Sequence, residues 1–190
     1  RNRYTGCMIR IEELADAVRR EDTRDVLALA SQGASRVVRY LSGRLYSADA
    51  DEKWRAVRLL GLLVREPDLL TDSKVGDLLH RFLWALNDES GAVPFGVPEA
   101  IGEILAERRV FRPEILPVLC GMLSEEDTFQ TGAIERGIYW ALGRIGPDVL
   151  NHCAAVAAVV TEAAQHHPDS DTRATAARAL AALGRKSHPE

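Results

Sequence analysis

The feature that most restricts the fold is a recurrence. An apolar residue followed by a small one appears as Leu60-Gly61, Ile101-Gly102, Leu142-Gly143 and Leu180-Ala181, at spacings of 41, 41 and 38 positions. Each pair lies in a stretch whose apolar residues return every three or four positions, the period of a helix with one buried face. Glycine inside a helix costs about 1 kcal/mol relative to alanine, so three in register mark places where another helix comes close. A unit of about forty residues holds two helices but can bury its apolar face only against neighbouring units. A row of stacked helical hairpins is the expectation.

Reading the periodicity along the chain predicts helices near 10–21, 23–32, 35–47, 51–65, 73–87, 98–110, 113–124, 131–145, 148–166 and 171–184. The breaks between them are short and polar, and no strand pattern stands out. Pro98, Pro113 and Pro147 each stand where a helix begins, a place where the missing N–H and fixed φ cost nothing. Pro117 falls in the first turns of its helix and is expected to tighten or bend it. Ala, Leu, Arg and Glu dominate, only 6% of residues are aromatic and 46% are hydrophobic, which favours helix and suffices for a continuous core.

The second helices of the four units read KWRAVRLLGLL, VPEAIGEIL, RGIYWALGRIG and RATAARALAALG. The first helices end in the polar segments LNDES, LSEED and QHHPDSD, which suit the turns that close hairpins. Over about 50–184, and most closely in the last two units, this resembles HEAT-like repeats of the type grouped with phycobiliprotein bilin lyases. The segment NDESGAVPFGVPEAIGEI is more particular than generic repeat sequence and resembles a bacterial HEAT-repeat family. The resemblance implies an all-α, right-handed α-α superhelix of the HEAT/armadillo kind, with about four to five helical hairpins in a single domain. Residues 10–47 fit the period poorly and are expected to form an atypical N-terminal cap, with four repeats over 48–184.

In such solenoids the second helices line the concave face. Helical spacing places Ile138, Ala141, Leu142 and Ile145 on one face of the third unit, leaving Arg136, Trp140 and Arg144 on the other. Moving by the repeat gives Trp54, Arg58 and Leu62, then Phe95, Glu99 and Glu103, then Ala174, Arg178 and Ala182. Tryptophan and arginine are over-represented at binding hot spots, so Trp54, Arg58, Trp140 and Arg144 lead the candidates for partner contact. Arg136, Glu99, Glu103 and Arg178 accompany them. The competing reading pairs Arg58, Glu99, Glu103, Arg144 and Arg178 with one another along the ladder and uses the indole rings to fill gaps between units.

A second candidate is the 87–97 connection, longer than the other turns, with Val93 and Phe95 set among glycines and a proline. Phe95 would be exposed there, and Asp88 and Glu89 could meet a cation or a basic partner. As the plainer alternative, the acidic pair caps the next helix and Phe95 folds onto a neighbour.

Other function classes fare poorly. The net charge is −4, with basic and acidic residues balanced in the first half and acidic residues in excess in the second, so nucleic-acid binding is disfavoured. No apolar run approaches a membrane span. Cys7, Cys120 and Cys153 are far apart and lack ligand spacing, which fits a reducing cytoplasm without disulfides. Walker, dinucleotide, HExxH and GxSxG motifs are absent, and His80, His152, His166, His167 and His188 show no ligand pattern. HEAT-like hydroxylases use His-Glu pairs as iron ligands, and this chain has no such dipeptide. Neither a cofactor nor a metal is expected. The reading that results is a non-enzymatic scaffold for another protein, with self-association as a further use of exposed apolar surface. Similarity to HEAT-like DNA glycosylases, which use concave aromatics and a carboxylate, or to bilin lyases, implies the alternative of an enzyme or enzyme subunit.

Overall fold

The computed structural model describes residues 9–87, 93–124 and 132–184. Among these, the chain is helical and carries no strand: α1 (Ile11–Arg19), α2 (Thr23–Arg44), α3 (Ala50–Arg65), α4 (Asp72–Leu86), α5 (Val97–Glu107), α6 (Arg112–Met122), α7 (Gly132–Ile145), α8 (Val149–His152), α9 (Val156–His166) and α10 (Ser170–Leu183). None of these helices is long and apolar enough to cross a membrane.

Local chemistry accounts for most of the boundaries. Asp22, Asp49 and Asp169 cap α2, α3 and α10, each carboxylate accepting from backbone N–H groups of the first turn. Pro98 and Pro113 occupy the first positions of α5 and α6, as the sequence predicts, and Pro147 opens the short 3-10 turn Gly146–Asp148. Pro117 is the sixth residue of α6, where it forgoes one intrahelical hydrogen bond, and the helix continues through it to Met122. Gly33 leaves helical geometry within α2, so the two expected helices are joined end to end across a kink. The expected single helix over 148–166 is instead α8 and α9, because Cys153 adopts φ −143° and ψ 60° and ends α8 after one turn. The break lets α8 pack against α6 while α9 runs along α10.

Turn closure after α1 relies on a residue that composition would not nominate. Glu21 has φ +53°, and the N–H groups of Glu21 and Asp22 donate to the carbonyls of Val18 and Ala17, the pattern in which glycine is usual. Two buried or half-buried arginines close other helix ends. Arg108 donates to the Val64 and Leu70 carbonyls and reaches Asp72 at 2.7 Å. Arg112, only 4% exposed, donates to the Leu105 and Ala106 carbonyls at 2.8 and 3.2 Å and to Asp148 at 2.6 Å. The Val64, Leu105 and Ala106 carbonyls belong to last turns and have no partner within their own helix. Each arginine thus satisfies the end of a helix other than its own, and Arg108 also ties down the α3–α4 connection at Leu70.

Helices α3, α5, α7 and α10 pack side by side in that order, and α1 abuts α3. The glycines are the contact points. A Cβ on Gly102 would stand 2.6 Å from Ala141 Cα, and one on Gly143 would stand 3.1 Å from Ala179 Cα. Gly61 faces the Glu103 side chain. Ala181, the fourth member of the series, is exposed, because α10 is the last helix of the described row. The helices α4, α6 and α9 form a second layer whose members approach one another much less closely. One apolar core runs continuously between the layers, from Leu14 through Leu60, Ile101 and Leu142 to Leu183. Tight spacing in one layer and wide spacing in the other bends the row, leaving α3, α5, α7 and α10 on the concave side.

Candidate functional site

Residues that point away from the core on α3, α5, α7 and α10 form one surface, and most of its charges pair across helices. Arg65 of α3 forks onto Glu107 of α5, with nitrogen to oxygen distances of 3.0 and 3.2 Å. Arg144 of α7 reaches Glu103 at 3.0 Å and the same Glu107 at 3.1 Å. Arg58 forks onto Glu21, its Nη2 at 2.9 Å. These contacts hold the Arg58 and Arg144 guanidinium groups more firmly charged and draw the Glu21 carboxyl below its ordinary range, hydrogen bonding being the first cause in each case. The ladder thus spans three inner helices and the α1 turn. Arg58, Glu103 and Arg144 are engaged with the protein itself; of the pairs among these candidates that the competing reading of the sequence expects, Arg144–Glu103 forms, while Arg58 pairs with Glu21.

One turn before Arg58 on α3 and one turn before Arg144 on α7, the indole rings of Trp54 and Trp140 meet with centroids 5.0 Å apart and planes tilted by 58°. They come from α3 and α7, with α5 between them, so the contact measures how sharply the face is bent. Both rings are half-buried. The Lys53 ammonium lies 4.8 Å above the Trp54 ring and 3.2 Å from Glu99 Oε1. Arg136 stands near Asp169 and Asp171 of the α10 start, at 3.5 and 3.9 Å. Arg178 is exposed and has no ion-pair partner among the described residues.

Two expectations are corrected here. Glu99 is not open to the concave groove: it is 4% exposed, and its Oε2 has no hydrogen-bond partner among the described residues. The first turn of α5 is wedged between α3 and α7, and Gly137 leaves room for that oxygen, since a Cβ there would come within 2.8 Å of it. Burial raises the Glu99 carboxyl above its ordinary range, against the pull of Lys53. Phe95 lies in the turn before α5 and not on a helix face, and it is half-buried. Its neighbours Pro94 and Gly96 are buried, Val93 packs on the core, and the Gly96 N–H donates to the Leu45 carbonyl at 2.8 Å. This half of the connection is therefore anchored to the α2–α3 corner and is not an open loop. Asp88 and Glu89 lie outside the described residues.

Among the described histidines, His167 takes a structural part. His167 Nδ1 accepts from the Asp169 N–H at 3.1 Å, so Nε2 donates to Glu135 at 3.2 Å, and Glu135 also accepts from the Tyr139 hydroxyl. Both ring nitrogens are used. Among the described residues, no group of three or more His, Cys, Asp or Glu side chains could hold a metal ion. Cys120 and Cys153 are free thiols, and burial pushes the Cys120 thiol well up.

Lys53, Arg65, Glu107 and Glu21 were not singled out from the sequence. Arg65 and Glu107 continue the helical spacing of Arg58 and Glu103, so extending the wheel by a turn or two would have reached them. Glu21 carries no such signal, since it sits where the repeat breaks down.

No family model matches the chain, and no curated protein matches it by sequence. Solved structures do match. An engineered protein from a structural genomics consortium superposes with TM-score 0.55 at 18% identity, over 85% of this chain and 66% of that one. A designed armadillo repeat protein superposes with TM-score 0.55 at 17% identity, over 90% of this chain and 74% of that one. At such identity the likeness concerns the fold: this chain is a helical repeat solenoid, and it spans about two thirds of the first structure's length.

Proposed function

We propose that the solenoid is a non-enzymatic scaffold that binds another protein along its concave face, with the Trp54–Trp140 pair as the central anchor. The observation that carries this reading is the pair itself. Two large rings from alternate helices meet and stay half-open to solvent, flanked by charges already engaged within the chain. An aromatic platform inside a ring of satisfied polar groups is the usual arrangement of a binding hot spot. The ladder of Arg58, Glu103 and Arg144 then holds the shape of the face, while Trp54, Trp140, Arg136 and Arg178 make the contacts. Glu99 supports the platform from beneath.

The glycosylase-like alternative has less support. It needs a carboxylate facing the groove beside the aromatics, and the carboxylate near them, Glu99, turns its free oxygen toward Gly137. Affinity capture followed by cross-linking tests the reading. A captured protein whose cross-links fall on α3, α5, α7 or α10, and whose binding Trp140→Ala weakens by more than about 1 kcal/mol, is the expected result. Cross-links confined to other surfaces, or salt-sensitive DNA binding without a captured protein, would count against it.

A further inference from the structure

The opposite side of the molecule carries a groove of about 840 Å³ between the second half of α2 and α4. Its rim holds the most exposed large apolar side chain among the described residues, Trp84 at 79%, together with Tyr46 at 40%. Val38, Leu78 and Phe82 form its floor. Leaving an indole so open costs hydrophobic stabilisation that the core would otherwise supply.

The charges around it set it apart from the concave face. Arg39, Lys74 and Arg81 line the groove and are exposed. None of the three has a carboxylate partner among the described residues; Arg81 Nε donates only to the Asp77 carbonyl, at 3.3 Å. Asp77 is the groove's own carboxylate, and His80 at the edge is held by Glu114 of α6 at 2.9 Å. On a chain of net charge −4 whose inner face pairs nearly every cation, three open cations beside an open tryptophan are a local exception.

We infer that this groove docks an acidic peptide segment of a partner protein, its carboxylates on Arg39, Lys74 and Arg81 and a large apolar side chain against Trp84. Nucleic acid fits less well, because a phosphate backbone calls for a longer track of positive charge and would pass close to Asp77. The site is separate from the concave platform, so either assignment can fail without the other.

Selection of a random peptide display library on the intact protein tests the inference. Enriched peptides should carry net negative charge around an aromatic or large aliphatic residue, and their affinity should fall as salt is raised. Arg39→Glu with Lys74→Glu and Arg81→Glu should weaken synthetic versions at least tenfold. Trp84→Ala should weaken them more than about fivefold, and Trp140→Ala should leave them unchanged. Since all four groove residues are exposed, thermal unfolding of the variants should match the parent. Enrichment of neutral or basic peptides, no enrichment, indifference to these substitutions, or tighter Trp84-dependent binding of labelled single-stranded DNA would each overturn it.

Discussion

Gly102 faces Ala141 across the α5–α7 contact so closely that a Cβ on Gly102 would stand 2.6 Å from the Ala141 Cα and 2.7 Å from its Cβ. The obstacle is backbone, which cannot swing aside as a long side chain can. Two units of the row therefore touch at a point where only a glycine fits.

Gly102→Ala should accordingly destabilise the protein. The helix-propensity gain is about 1 kcal/mol, whereas forcing α5 and α7 apart costs about 1–3 kcal/mol, so a net loss is expected. Gly43→Ala is the control: nothing lies within 4 Å of a Cβ there, and stability should rise by up to about 1 kcal/mol. Denaturant midpoints followed by circular dichroism measure both, and equal shifts in the same direction would contradict the close contact.

Glu99→Gln tests the buried carboxylate. Burial places its folded pKa above the unfolded value near 4.3, so the native state holds this proton more tightly. The stability Glu99 contributes is complete below the unfolded pKa and is lost as pH rises through the folded one. Near neutral pH the glutamine variant should be more stable by on the order of 1 kcal/mol, and the gap should close as the medium is acidified. A less stable variant at neutral pH would mean that the Lys53 ion pair outweighs desolvation.

Arg112→Met removes the guanidinium that closes the end of α5. Leaving the Leu105 and Ala106 carbonyls and Asp148 without this donor should cost roughly 2 kcal/mol. Most of that comes from the carbonyls, since Asp148 is more than a third exposed and its ion pair is screened. The Arg112 hydrogen bond holds the Asp148 carboxyl below its ordinary range, so this part of the stability is present above the unfolded pKa near 3.9 and fades as pH falls through the folded value. Parent and variant curves of stability against pH should draw closer on the acid side by the Asp148 part alone, leaving the carbonyl part as a gap that pH does not change.

Trp54→Ala and Trp140→Ala, singly and together, measure the platform. A tilted aromatic pair couples by about 0.5–1.5 kcal/mol beyond its buried area, so the double variant should lose less than the two singles combined. Strict additivity in urea unfolding would show that the rings do not contact in solution.

The repeat, its helices and its glycine contacts were legible without coordinates because they depend on spacing alone. Periodicity reports which face of a helix is apolar, and a small residue in register reports where backbones meet. Trp140, Arg144 and Arg58 were placed on the outward side of their helices for the same reason. Phe95 does not lie on a helix face because it sits in the turn before α5, where helical periodicity does not apply. Glu99, by contrast, lies inside α5 and is closed off by Lys53 and the neighbouring helices, which the pattern of a single helix does not report.

What sequence alone determined was therefore the one-dimensional plan: helix, turn, helix, repeated about every forty residues around one apolar stripe. Only the packed structure decided that Trp54 and Trp140 meet across an intervening helix, that Arg144 and Arg65 share Glu107, and that Arg39, Lys74, Arg81 and Trp84 surround one groove. Those relations depend on the curvature of the stack, which accumulates from every interhelix contact and so has no signature at any single position.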